Sequence, residues 1–415
     1  LATSRYANVA KISTGIGTST VSLGSDFQYS VGGKQPALIY DPDEGDTWLA
    51  YRDENDSNKG KIRGLVIGGT GNTTLSNDTG AHTFHTGHTD TVRLVYDTNA
   101  DKLVILYRDS QTRYYTAIVA TVGSNQGLTF GSEVGTGIRG DEGKMWASFD
   151  PSVNRVVICM ANDDDSNEGY YIMGTVSGNA ISFSSSAKFQ SGEVDYIKTA
   201  YHAGEGKILV SYKDKASNNY LKHKAGTSSS SSVSWGSAFN FPGNYTNGVN
   251  AISVCPKTNI ISTQLIADNN DKLFYASYTL SGTSFTSLGS GQQSSHNHST
   301  SWENMVSVPM GDHARIVVLA YNSTASRPGL YVYDTGTTGS NATASNVIGF
   351  AENAINDTAT GTIKLTGNVV GNQSGLTAGT AYYIQSDGSL GTSQDNTLGA
   401  ATGRTKAGVA LSATT

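Results

Sequence analysis

The chain has 415 residues, enough for two or three ordinary domains or for one large repetitive domain with an appendage. Its 48 Gly and 22 Tyr, with only 15% charged residues, favour strands and turns over helices. A formal net charge of −6 with dispersed Lys and Arg lacks the basic footprint of a nucleic-acid binder, and no apolar run approaches the roughly 20 residues that span a bilayer, so neither nucleic acid nor membrane insertion is expected. Two cysteines, Cys159 and Cys255, leave little for a disulfide framework or a thiolate metal centre; both sit in apolar β-like runs and are expected as buried free thiols.

Residues 1–18 read as an N-terminal extension. The segment 20–33, TVSLGSDFQYSVGG, resembles the later VSWGSAFNFPG, with Leu23 at the position that Trp235 holds there. From residue 34 a repeat sets in. Tyr40, Tyr96, Phe149, Tyr201, Cys255 and Pro309 follow one another at 56, 53, 52, 54 and 54 residues, and thirteen positions beyond each stand Asp53, Asp109, Asn162, Asp214, Asp268 and Asn322. Between the two anchors each copy has a short apolar strand, a turn and a second strand, as in RLVYDTNADKLVILYRD. A third strand follows, and a fourth carries Phe84, Phe130, Phe183, Trp235 or Phe285. Four strands in a unit of about 53 residues match a propeller blade. The sixth copy has no fourth strand of its own, so the N-terminal strand is expected to complete it and close the ring. The expected fold is therefore an all-β, six-bladed β-propeller over 19–334. The repeated Asp and Asn have a structural role in this reading: short polar side chains that bond backbone amides in the turn after each second strand.

Residues 41–48, DPDEGDTW, match the Asp-box hairpin of sialidase-like propellers at Asp43, Gly45, Thr47 and Trp48, with Asp41 where Ser is usual. Arg52 and Arg108 share a repeat position with Lys213; without a third arginine they do not make a carboxylate clamp, and they read as surface side chains flanking an exposed turn. The acidic run 162–169 offers Asp163, Asp165 and Asn167 as oxygen ligands for a structural Ca²⁺, although its Gly169 lies one place later than an EF-hand loop requires. His82, His85 and His88 recur at intervals of three, a spacing that alternates faces on a strand, and His296 and His298 form a pair. No phosphate loop, nucleophile elbow or metalloprotease helix is present, and no catalytic or cofactor-binding residue is assigned.

Residues 335–345, rich in Gly, Thr and Ser, read as a linker to a small β domain over 346–415 with strand candidates NVIGFAENAI, GTIKLTGNVV, TAYYIQ and KAGVALSAT. Asp387-Gly388 is placed to turn a hairpin. IGFAENAI, GLTAGTAYYIQSDGSL and the closing AGVALSAT resemble the C-terminal domains of tailed-phage fibre and other virion appendage proteins. The resemblance covers about a sixth of the chain, with Gly375-Leu376-Thr377, Tyr382-Tyr383 and Asp387-Gly388 in that order. It implies a structural protein of the virion surface, homo-oligomeric and often trimeric, that meets other virion subunits and a host-surface glycan or protein. A secreted lectin-like propeller and a sialidase-like glycoside hydrolase are the rival expectations.

Overall fold

The computed structural model describes residues 4–15, 18–69, 74–76, 80–243, 247–267, 271–289, 292–298, 305–310, 315–322, 327–334, 350–351, 363–364, 375–384, 390–392 and 406–410. The chain divides into two compact units, one of residues 1–14 and 19–335 and one of 15–18 and 336–415. In the second unit Phe350–Ala351 pairs with Ile363–Lys364, and Ala381–Ile384 pairs with both Leu390–Gly391 and Lys406–Val409. The Tyr382 hydroxyl accepts from the Thr377 amide at 3.0 Å. Asp387 and Gly388 lie outside the described residues.

Beyond its N-terminal strands, the described part of the first unit is a series of antiparallel sheets, numbered here in chain order. The first comprises Gly33–Tyr40, Thr47–Asp53, Lys59–Gly68 and Thr74–Ser76, with His82–His85 returning beside the third strand. The second repeats this with Thr89–Asp97, Lys102–Asp109, Tyr114–Gly123, Gly127–Phe130 and the return strand Val134–Arg139. The third runs from Met145–Asp150 to Ala180–Phe183 and the fourth ends at Phe239–Asn240. They share one strand, Ala187–His202, whose first part returns along the third sheet while its second part opens the fourth. The fifth spans Asn247–Val254 to Gln292–Asn297, and the sixth has three described strands, Val306–Pro309, Arg315–Asn322 and Arg327–Asp334.

The second strand of each sheet explains the stacking. Leu103–Tyr107 is buried without interruption, because alternate side chains leave opposite faces and each face meets another sheet. Leu103, Ile105 and Tyr107 pack with Trp48 and Ala50 of the first sheet, whereas Val104 and Leu106 pack with Met145 and Ile158 of the third. The same division continues through cores joining sheets three and four, four and five, and five and six. The result is a propeller-like succession in which the first strands are neighbours in chain order. Cys159 and Cys255 are buried and unlinked.

Three details of the repeat need correction. Leu23 is 69% exposed rather than packed at an aromatic position. Among the described residues Thr18–Leu23 pairs with Ala10–Gly15, and Phe27–Val31 pairs with Ser4–Ala7, while Tyr29 and Phe27 cover Leu49, Tyr51 and Leu65 of the first sheet. Phe84 belongs to the return strand and not to the fourth. The fifth copy is displaced by one residue: the Cys255 amide donates to the Ile260 carbonyl as the Asp41 amide donates to Asp46, which makes Val254 the equivalent of Tyr40 and Ala267 the equivalent of Asp53. Asp268 therefore falls one place past the repeated position, and it lies outside the described residues.

Candidate functional site

The repeated turn residue has one geometry wherever its side chain is described. Asp53, Asp109, Asn162 and Asp214 each accept from the amide two residues on, at 3.1, 2.9, 3.1 and 3.1 Å, an Asx turn that ends the second strand. Asn322 ends its strand opposite Arg327. These residues are spread over separate sheets and form no common site.

The expected Ca²⁺ loop is already occupied by the protein's own cations. Asp163 pairs with Arg113 at 2.6 Å, Asp165 with Lys188 at 2.7 Å, and the Asn167 carbonyl accepts from Lys144 at 3.3 Å. Hydrogen bonds from Lys188 and then from Tyr170 hold the Asp165 carboxyl below its usual range. The three side chains thus each face a different basic group of the protein. The histidines likewise diverge: His82 meets the Gln126 carbonyl at 3.2 Å, His85 meets Glu133 at 2.9 Å, and His88 lies 3.6 Å from Asp90. His298 reaches the Tyr331 hydroxyl at 2.9 Å, and the His296 side chain lies outside the described residues.

What the structure does bring together is a set of first-strand residues at equal repeat positions. Arg93, Trp146 and Lys198 each stand three places before an anchor, on sheets two, three and four. The Arg93 guanidinium lies 4.3 Å from the centre of the Trp146 ring, and the Lys198 ammonium lies 3.8 Å from it, a cation–π arrangement spanning three sheets. Beside it a shallow open depression is lined by Arg93, Glu142, Gly143, Asp195, Tyr196 and Lys198. Three first strands carry a bulge at this level, between Lys34 and Ala37, Asp90 and Arg93, and Asp195 and Lys198, while the strand of Trp146 runs in continuous register. At the bulges Gln35, Thr91 and Tyr196 adopt φ of 51°, 51° and 45°, a conformation disfavoured for side-chain-bearing residues and for β-branched Thr most of all. Bonds between sheets hold it in place: the Thr91 amide donates to Gln35 Oε1 at 2.6 Å, the Gly143 amide to Thr91 Oγ1 at 2.8 Å, and Asn250 Nδ2 to the Tyr196 carbonyl at 2.7 Å.

Arg52 and Arg108 correct the expectation of surface side chains. They are 12% and 11% exposed and converge on Asp90, Arg108 at 3.0 Å, with Ser110 bonded to the same carboxylate. Two repeat-equivalent arginines from adjacent sheets thus clamp a carboxylate of the protein itself. Sequence reading found the equivalence of Arg52 and Arg108 but not Asp90, which lies six places before its anchor and has a counterpart in Asp195.

The Asp-box-like hairpin forms a second cluster. Asp41, directly after the anchor, is buried, and its Oδ1 accepts from the amides of Asp43 and Glu44 at 3.0 and 3.3 Å. Asp97 and Asp150 repeat the role in the next two sheets, at 3.0 and 2.9 Å to Asn99 and Ala100 and at 3.0 Å to Ser152. The first hairpin gathers more carboxylates: the Tyr96 hydroxyl of the second sheet reaches Asp43 at 3.0 Å and also bonds Asp101. Burial, and then the hydrogen bonds to these carboxylates, hold the Tyr96 phenol neutral well above the usual tyrosine range.

No protein-family model matches the chain, and no curated protein is similar to it in sequence. Solved structures align with the chain at low identity. A provisionally assigned 6-phosphogluconolactonase from Bacteroides uniformis aligns over 79% of this chain and 91% of its own, with a TM-score of 0.51 at 10% identity. SapL1 lectin, solved with alpha methyl fucoside, aligns over 74% and 95% with a TM-score of 0.43 at 11% identity. Trypanosoma rangeli sialidase aligns over 79% and 59% with a TM-score of 0.43 at 12% identity. The fold is that of an all-β chain with sheets arranged as in a propeller.

Proposed function

We propose that this chain is a recognition subunit of a virion surface appendage, and that its sheet array holds a host-surface glycan in the depression beside Arg93, Trp146 and Lys198. The observation that carries the reading is the strained, bonded belt of bulges at that depression. It fixes donors and acceptors of both signs, Arg93, Lys198, Glu142 and Asp195, around an open space, which suits a polyhydroxylated ligand. The virion placement, with a trimer as the assembly and other virion subunits as neighbours, rests on the C-terminal segments quoted above. The test is a glycan array probed with the purified chain, followed by calorimetry on any hit. R93A and K198A are expected to weaken binding at least tenfold, while S229A on a distant loop leaves it unchanged. Hydrolysis of chromogenic glycosides by the wild-type chain would replace recognition with catalysis as the role.

We further propose that the array closes as six blades, with the N-terminal strand at the seam. Tyr29 lies 5.2 Å from Tyr51, just as the return-strand residues Phe84 and Phe189 lie 5.4 Å from Tyr107 and Tyr212. At the two ends of the array, Leu38 and Tyr40 on one side and Val306, Val308 and Leu319 on the other are exposed, at positions whose equivalents pack between sheets elsewhere. Tyr40 is 57% exposed, whereas its counterpart Tyr96 is 6% exposed.

A further inference from the structure

We propose that Asp41, Asp43 and Asp101 form a binding site for a divalent cation of the size of Ca²⁺, at the junction of the first and second sheets. One carboxylate oxygen from each residue lies within 4.8 Å of the others. Carboxylates with room for added water suit Ca²⁺, which takes six to eight oxygen ligands in flexible geometry, better than Mg²⁺ with its strict octahedron. The second observation is Asp41 itself. It is completely buried, its Oδ1 is used by two backbone amides, and its Oδ2 makes no hydrogen bond. A buried carboxylate oxygen without a donor is costly, and this one belongs to the group that converges with Asp43 and Asp101. The neighbouring ammonium of Lys102 donates to the Asp101 carbonyl rather than to a carboxylate, at 2.9 Å. The Tyr96 hydroxyl has a single proton to share among Asp41, Asp43 and Asp101, so the three acids keep an excess of negative charge that a dication offsets. Asp43 and Asp101 are exposed, which gives the ion an entry path and room for water to complete six to eight oxygen ligands.

The junction lets one side chain report on the ion. Tyr96 touches two of the three carboxylates, so Tb³⁺ bound in the site is sensitised by ultraviolet excitation of the phenol. With the full chain stripped by chelator, Tb³⁺ is expected to give saturable emission that Ca²⁺ displaces, and Ca²⁺ is expected to raise the melting temperature. D101N and D43N, at exposed positions, should each weaken Ca²⁺ binding at least tenfold. D163N with D165N, in the acidic turn occupied by Arg113 and Lys188, should leave it unchanged. D41N keeps the oxygen that the backbone amides need and replaces the unbonded one by a donor. It should therefore raise the melting temperature in chelator and abolish the Ca²⁺-dependent rise. Absence of Ca²⁺ binding by the wild-type chain, or wild-type affinity in both D43N and D101N, overturns the site. If D41N does not fold, the two exposed variants decide the question alone.

Discussion

His223 shows how one side chain can set the acid stability of a sheet junction. Its ring is fully buried among Phe241, Tyr278 and Phe285, and neither nitrogen has a hydrogen-bond partner. Burial depresses its pKa to about 3, so the folded chain holds the neutral imidazole while the unfolded chain takes up a proton near pH 6.5. The contribution is complete above pH 6.5 and is lost as pH falls from there toward 3, by roughly 1.4 kcal/mol per unit. H223F should flatten this loss, measured as the difference in denaturant midpoint between pH 7 and pH 4.5. The repeated turn residues act on a smaller scale. D109A should cost about 1 kcal/mol, because the Gln111 amide and the Thr112 hydroxyl both lose their acceptor.

At the scale of elements, close approach between successive sheets restricts substitution more than hydrophobicity does. A Cβ on Gly131, just past the fourth strand of the second sheet, would stand 1.7 Å from the Asn179 carbonyl oxygen of the third. G131A should therefore destabilise by about 1–3 kcal/mol, seen as a lowered midpoint in urea with unchanged slope. Much of this level was legible in advance. The anchors Tyr40, Tyr96, Phe149 and Tyr201 and the turn residues that follow them fall in equivalent ladders, because the first hairpin keeps a constant length. The fifth copy slipped by one because Cys255 looks like a strand residue but occupies the position of Asp41. Phe84 was misplaced because the described fourth strand of the first sheet, Thr74–Ser76, carries no aromatic residue to mark it. The carboxylate cluster was invisible because Asp101 arrives from another sheet, and the Arg52 and Arg108 pair looked solvent-facing because nothing in a single strand identifies Asp90 as its partner.

For the molecule as a whole, the open face of the first sheet makes the N-terminal segment a structural component and not a tail. Removing residues 1–31 uncovers Leu49, Tyr51 and Leu65, which Phe27 and Tyr29 now cover. The truncated chain should bind a hydrophobic dye more strongly and melt several degrees lower, or associate through the bared face; an unchanged melting curve would count against any role in closure.

The sixteen-residue strand Ala187–His202 has a mechanical consequence. Between the first and second sheets, and between the second and third, a turn or bend separates the return strand from the next first strand, but here a single ladder-bonded segment serves both, so the third and fourth sheets cannot part without breaking it. They are the midpoint of the series, opposite the ends carrying Tyr40 and Val308. A chain that opens from those ends therefore swings as two arms about a stiff spine, and amide protons along that spine should be the last to exchange with solvent.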